Sequence, residues 1–384
     1  MTFRRFFSVM ALGGAALAMT GHAQAQQLLM VPESSNDRVM LFDAFDGSLV
    51  DANFIDLVPQ GASTPISAVN IGQEIWVADQ VADSIFRYDT SGNFISTITG
   101  EMDNIRGMGF AANTVYQTNA GSNNNAPGEA VIQFAEDGTR RGSFAVVDPF
   151  DALPFNGDLL VNDIDNDDLV LYTLDGTFIR VWHDSDGVTG IDFPEQMTLR
   201  RNGNVLAGGF SSPAGVYEYD SVGNQLNYWD VGTGVRGAHE LGNGNIMFTD
   251  GSGVHILDPN TSLVTDVITD VSARFIEPLQ NFRIDQFGGC PGSVQVEVNG
   301  ATPNGTVAMV FSPARGSTTI QSGTCAGTTL DLDSGGIRLL QTTTADAGGN
   351  ASFNGNAPAA ACGGFLQAID ASTCLTSNVM TLRN

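Results

Sequence analysis

The 384-residue chain carries 42 acidic against 16 basic side chains, a formal charge of −26, and all sixteen basic residues are arginines. A balance this acidic excludes a nucleic-acid footprint and offers nothing to an anionic membrane surface. The absence of lysine excludes Schiff-base and lysine general-base chemistry.

The N-terminus sets Arg4 and Arg5 before an apolar stretch over 6–19 and the small-residue run Ala23-Gln24-Ala25. That pattern predicts a signal peptide over residues 1–25, cut after Ala25, and a secreted or periplasmic mature protein. No later stretch is apolar for long enough to span a bilayer, so no membrane span is expected.

Internal repeats organise the next 250 or so residues. An apolar strand, a loop, an alternating strand and a turn with Asp or Gly recur six times. The turns are centred on Asp46-Gly47, Ser91-Gly92, Asp137-Gly138, Asp175-Gly176, Val222-Gly223 and Asn260-Thr261. Successive glycines among the five lie 45, 46, 38 and 47 residues apart, the length of one four-stranded blade. Apolar runs such as Ile75-Trp76-Val77-Ala78 suit strands buried on both faces. An inner strand can be placed before five of the repeats, over 66–71, 105–110, 151–155, 195–199 and 235–241. The first repeat lacks one, and a matching segment, 273–279, follows the last. The expectation is an all-β chain: a six-bladed β-propeller over 26–280, its ring closed by the strand 273–279.

From about Phe282 the composition shifts to Gly, Ala, Thr and Ser, with short alternating strands such as Val294-Gln295-Val296-Glu297-Val298. A small β-sandwich over 281–384 is expected. It holds all four cysteines, Cys290, Cys325, Cys362 and Cys374, which in an exported protein predicts two disulfides. Three connectivities exist. Sequence does not choose among them, and Cys290–Cys325 with Cys362–Cys374 is favoured because each pair brackets one short stretch.

On these residues, above all Ile75-Trp76-Val77-Ala78-Asp79 followed by Ile85-Phe86-Arg87-Tyr88-Asp89 and Gly92, the repeat region resembles six-bladed propellers of the NHL and gluconolactonase-like type. The stretch from Cys290-Pro291-Gly292 to Thr373-Cys374 resembles a module at the ends of secreted bacterial proteins. The resemblance implies architecture; propellers host many functions.

Aligned inner strands put Ser67, Arg106, Asp151, Glu195, Arg236 and Arg274 at one equivalent position, with His239 farther along its strand. These side chains are expected to ring one mouth of the channel. Three arginines there would hold a carboxylate, sulfate or phosphate; alternatively they pair with Asp151, Glu195 and carbonyls to tie the blades together. Asp163, Asp165 and Asp167, and separately Asp184 and Asp186, have the alternating spacing of a calcium loop. The first lacks the glycine and distal glutamate of an EF-hand, and the second lacks a distal ligand other than Asp192, so solvated turns are the competing reading. Glu33, Asp79, Asn119, Asn162 and Asp250 stand at equivalent strand ends, where short polar side chains cap the next loop. No G-x-S-x-G or H-E-x-x-H is present.

Two functions follow. One is a non-enzymatic, monomeric binding or scaffold protein whose propeller face takes a small anionic ligand, a glycan or an extracellular protein, with calcium as the one candidate cofactor. The other, implied by the resemblance, is a metal-dependent hydrolase or lyase of the gluconolactonase or peptidyl-amidating type. Its channel cation would be held by Glu, Asn, Asp or His, where this chain has arginines.

Overall fold

The computed structural model describes residues 27–280 and 282–383. The expected signal peptide lies outside them. Among the described residues up to 279 there are six four-stranded antiparallel sheets, each a run of neighbouring strands. The second is representative: Pro65–Ile71, Glu74–Asp79, Ser84–Asp89 and Phe94–Thr99, paired in chain order. Its two middle strands are almost wholly buried, and its last alternates between exposed and half-buried residues, as an outer edge should.

The first sheet is assembled from both ends of this region. Glu277–Leu279 pairs antiparallel with Leu28–Glu33, Leu28 opposite Leu279 and Met30 opposite Glu277, and Ala273 bridges to Glu33. One apolar cluster fills each gap between neighbouring sheets. Trp76, Ala78 and Ile85 of the second pack on Met108, Val115 and Ile132 of the third. Leu29, Val31, Met40 and Phe42 of the first pack on Leu241, Met247 and Val254 of the sixth. The ring is therefore closed by side chains as well as by hydrogen bonds, each large buried residue contributing about 1.5–3 kcal/mol.

The turns show why the repeat carries glycine. Gly92 has φ 84° and its N–H reaches the Asp89 carbonyl, while the Asp89 carboxylate accepts from the Ser91 and Asn93 N–H groups. In the sixth repeat, where Thr261 replaces glycine, the positive φ moves to Ser262, whose N–H bonds the Asp258 carbonyl. The strand-end polar residues act as caps. Asp79 accepts from the N–H groups of Ser63, Thr64, Val81 and Ala82, and Asn162 accepts from those of Phe150 and Asp151.

Beyond 282 a three-stranded sheet (Arg283–Gly288, Gly292–Asn299, Ala351–Ala357) and a four-stranded one (Arg338–Thr344, Thr306–Ser312, Phe365–Asp370, Met380–Thr381) share one apolar cluster, with Ile284, Val296 and Phe353 facing Met309, Leu366 and Ala368. The disulfides are Cys290–Cys362 and Cys325–Cys374, not the short-loop pairs Cys290–Cys325 and Cys362–Cys374. Register decides this: Gly292 lies opposite Ala357, so the strand pair itself carries Cys290 toward Cys362, their Cα atoms 5.4 Å apart. Among the described residues no helix is long and apolar enough to cross a membrane.

Candidate functional site

The inner strands line the channel, and three of them carry a β-bulge near the end at which they start. The register slips between Pro65 and Ser67, between Ile105 and Met108, and between Pro194 and Met197. A bulge re-aims the side chains beside it. Ser67, Arg106 and Glu195 sit in or next to these bulges, whereas Asp151, Arg236 and Arg274 adjoin strands that pair without one, and the ring divides.

Arg106, Glu195, Arg236 and Arg274 belong together. Arg106 is buried, lies 4.7 Å over the Phe150 ring, and pairs through Nη1 with Asp148 at 2.9 Å and the Pro149 carbonyl at 3.0 Å, not with Asp151. Arg236 donates from Nη1 to the Ser272 hydroxyl at 2.6 Å and lies over Phe210. Arg274 reaches the Ser34 hydroxyl from Nε and Nη2, each at 3.3 Å. Arg236 and Arg274 are half-buried, and neither forms an ion pair with a described carboxylate. Burial and the neighbouring Arg236 press the Arg274 guanidinium down to about 10, against the pull of Glu195 and Asp79. Glu195 is 3% exposed. Burial pushes its carboxyl up to about 7 although Arg236, Arg274 and Arg106 all oppose that shift. Its Oε2, the Nε atoms of Arg106 and Arg236, and the Ser67 Oγ are buried without a protein partner. Three of these unmet atoms, on Glu195, Arg106 and Arg236, belong to side chains within electrostatic reach of one another, and they call for a ligand or ordered water.

An apolar plug that the repeats did not reveal adjoins the arginines. Ile66, Phe150, Ile164 and Phe275 form it, with Phe193 against them and the Phe210 ring tilted against Phe193, centroids 5.6 Å apart. The available signal was a phenylalanine immediately beside Asp151 and another beside Arg274.

Asp151 and His239 do not join the arginines. The Asp151 Oδ2 accepts the Met197 N–H at 2.9 Å, and its charged neighbour is Glu277. Gly107 makes this fit possible: a Cβ there would stand 2.3 Å from the Asp151 carboxylate and 2.7 Å from the Phe275 ring. His239 is three residues beyond Arg236, about 10 Å along a strand. Its charged neighbours are Glu240 and Arg201, and burial presses its imidazole down to about 4.

The two aspartate loops approach each other, since Asp168 accepts the Ser185 N–H and Asp167 accepts the Phe193 N–H. Their carboxylates are nonetheless committed to turns. Asp163 accepts from the N–H groups of Asp165 and Asn166, and Asp186 from those of Val188, Thr189 and Gly190. The side chains of Asp165 and Asp184 make no hydrogen bond to another described residue. Among the described residues no three His, Cys, Asp or Glu side chains converge as a metal site would require.

No family model matches the chain, and no curated protein does. Solved structures do. A chain of the crystal structure of a nidogen/laminin complex superposes with a TM-score of 0.52 at 14% identity, over 66% of this chain and 98% of that one. The WD40 β-propeller domain of Doa1 gives 0.46 at 13% identity, over 72% and 91%. The first likeness shows a β-propeller fold.

Proposed function

We propose that this chain is an exported binding protein: a six-bladed propeller over 26–280, with a β-sandwich over 281–384, that takes up a small anion at the channel mouth lined by Arg106, Arg236 and Arg274. The observation that carries this reading is the pair Arg236 and Arg274. Their guanidinium groups meet serine hydroxyls and a carbonyl, repel each other, and form no ion pair with a described carboxylate, with the buried Glu195 as their shared acidic neighbour. With Arg106 they set three guanidinium groups around the one buried Glu195, an excess of positive charge that forms a local anion trap in a chain with 42 acidic residues. A carboxylate, sulfate or phosphate would satisfy the orphaned donors and relieve the repulsion. The anion is the handle by which a free small molecule, a glycan or an extracellular protein would be held.

The test is calorimetric titration of the mature protein with sulfate, phosphate and acetate, repeated on Arg236→Gln and Arg274→Gln. Binding that weakens roughly tenfold or more in each variant is expected, the loss of one charge-assisted contact. No heat with any of the three, or an affinity in both variants unchanged from the native chain, overturns the reading. Metal analysis belongs beside it: one tightly held divalent ion per chain, whose removal leaves the melt unchanged but abolishes hydrolysis of a lactone, would replace binding with metal-dependent catalysis.

A further inference from the structure

The opposite mouth, where the inner strands end, opens into a cavity of about 270 Å³ that the C-terminal sheets close. Asp151 and Glu277 line it from the channel side, and Arg283, Arg315 and Arg383 from the other. Three buried polar atoms on its wall have no protein partner: Arg283 Nη1, Arg315 Nε and Asn70 Oδ1. Arg283 is only 6% exposed and is held rigidly, gripping Asp285 through Nε and Nη2 and lying 4.4 Å over the Phe110 ring, so that Nη1 alone is left over. A guanidinium fixed in this way with one free N–H costs stability unless something accepts from it.

We propose that this cavity is a second ligand site, distinct from the arginine mouth, for a small hydroxylated carboxylate. The chemistry of the two walls selects the class. Guanidinium donors on the C-terminal wall call for an anionic acceptor, and the planar fork suits a carboxylate. The channel wall offers two carboxyl groups side by side. Burial and the neighbouring Asp151 raise the Glu277 carboxyl well above its ordinary range, and burial alone raises Asp151 to about 7. A neutral carboxyl both donates and accepts, as a hydroxyl does, and Asn70 Oδ1 adds an acceptor. At ~30 Å³ per water the space equals roughly nine waters, enough for a ligand of up to about a dozen heavy atoms.

A matched four-carbon set tests this by calorimetry: threonate, with carboxylate and hydroxyls; butyrate, without hydroxyls; threitol, without the carboxylate. Threonate should bind roughly tenfold or more tightly than either. Arg283→Met should weaken the threonate-selective binding by about the same factor, both in the native chain and in an Arg236→Gln background, which removes carboxylate uptake at the arginine mouth. Should Arg283→Met not fold, Arg315→Met replaces it, because that guanidinium's one hydrogen bond is long, 3.5 Å to the Val379 carbonyl. No binding of threonate up to about 10 mM means that water fills the cavity, and the proposal fails. It fails equally if threitol binds as well as threonate, or if Arg236→Gln abolishes binding and Arg283→Met does not. That last result would move the ligand to the arginine mouth and leave the reading of that mouth standing.

Discussion

At the residue scale the channel is a series of buried charges held at a cost, and Asp151 is the clearest case. It is 2% exposed, and burial raises its carboxyl from 3.8 to about 7 against the two backbone N–H groups that favour the anion. Below pH 3.8 folded and unfolded chains both hold the proton, and the group is neutral in the balance. Between 3.8 and about 7 the unfolded chain releases it and the folded chain does not, so stability falls as pH rises and the full loss is present above 7. Asp151→Asn keeps an acceptor for the Met197 N–H and removes the titration. Urea denaturation should show the variant no more stable than the native chain near pH 4 and more stable at pH 8, by up to roughly 4 kcal/mol. A gain of equal size at both values would show that repacking, and not ionisation, is responsible.

At the element scale two kinds of pairing hold the molecule, and they differ in how far the sequence discloses them. The propeller repeat was legible because each blade restates the same pattern: apolar middle strand, alternating outer strand, turn with Asp and Gly. Ring closure was legible for the same reason, since the first repeat lacks an inner strand and 273–279 supplies one. The cysteine pairing was not, because sequence separation measures only loop entropy while strand register decides which thiols meet. Nor was the parting of Asp151 from the arginines, because its carboxylate turns to the Met197 N–H of the neighbouring sheet, a contact that no repeat pattern encodes. The disulfides close loops of 72 and 49 residues, worth about 4 kcal/mol each in the chain-entropy picture. All three tryptophans, Trp76, Trp182 and Trp229, and all six tyrosines precede residue 230. Replacing Cys325 and Cys374 by serine should therefore leave the tryptophan fluorescence midpoint in urea nearly unchanged. Calorimetry of the same variant should show a transition moved to lower temperature. A fluorescence midpoint that falls equally would mean that the propeller and the C-terminal sheets unfold as one unit.

At the scale of the whole molecule the acidic excess opposes compaction, because a chain at −26 repels itself more when folded than when extended. An exposed surface ion pair does little to offset this. Arg140–Glu101, both partners well exposed, contributes at most about 1 kcal/mol. Raising sodium chloride from about 0.02 to 0.5 M should screen the repulsion and raise the melting temperature by a few degrees. A melt that falls over that range would show that specific ion pairs outweigh net charge. Joining Leu28 to Leu279 has a further consequence, and it concerns time. A ribosome adds about 5–20 residues per second, so the strand at 28–33 emerges roughly 10–50 s before its partner at 277–279 exists. Over that interval the first sheet has an open inner edge and the arginine mouth has only part of its wall. The nascent chain thus spends most of its synthesis as an unfinished arc, and the stretch that completes it is followed at once by the segment that covers the far mouth.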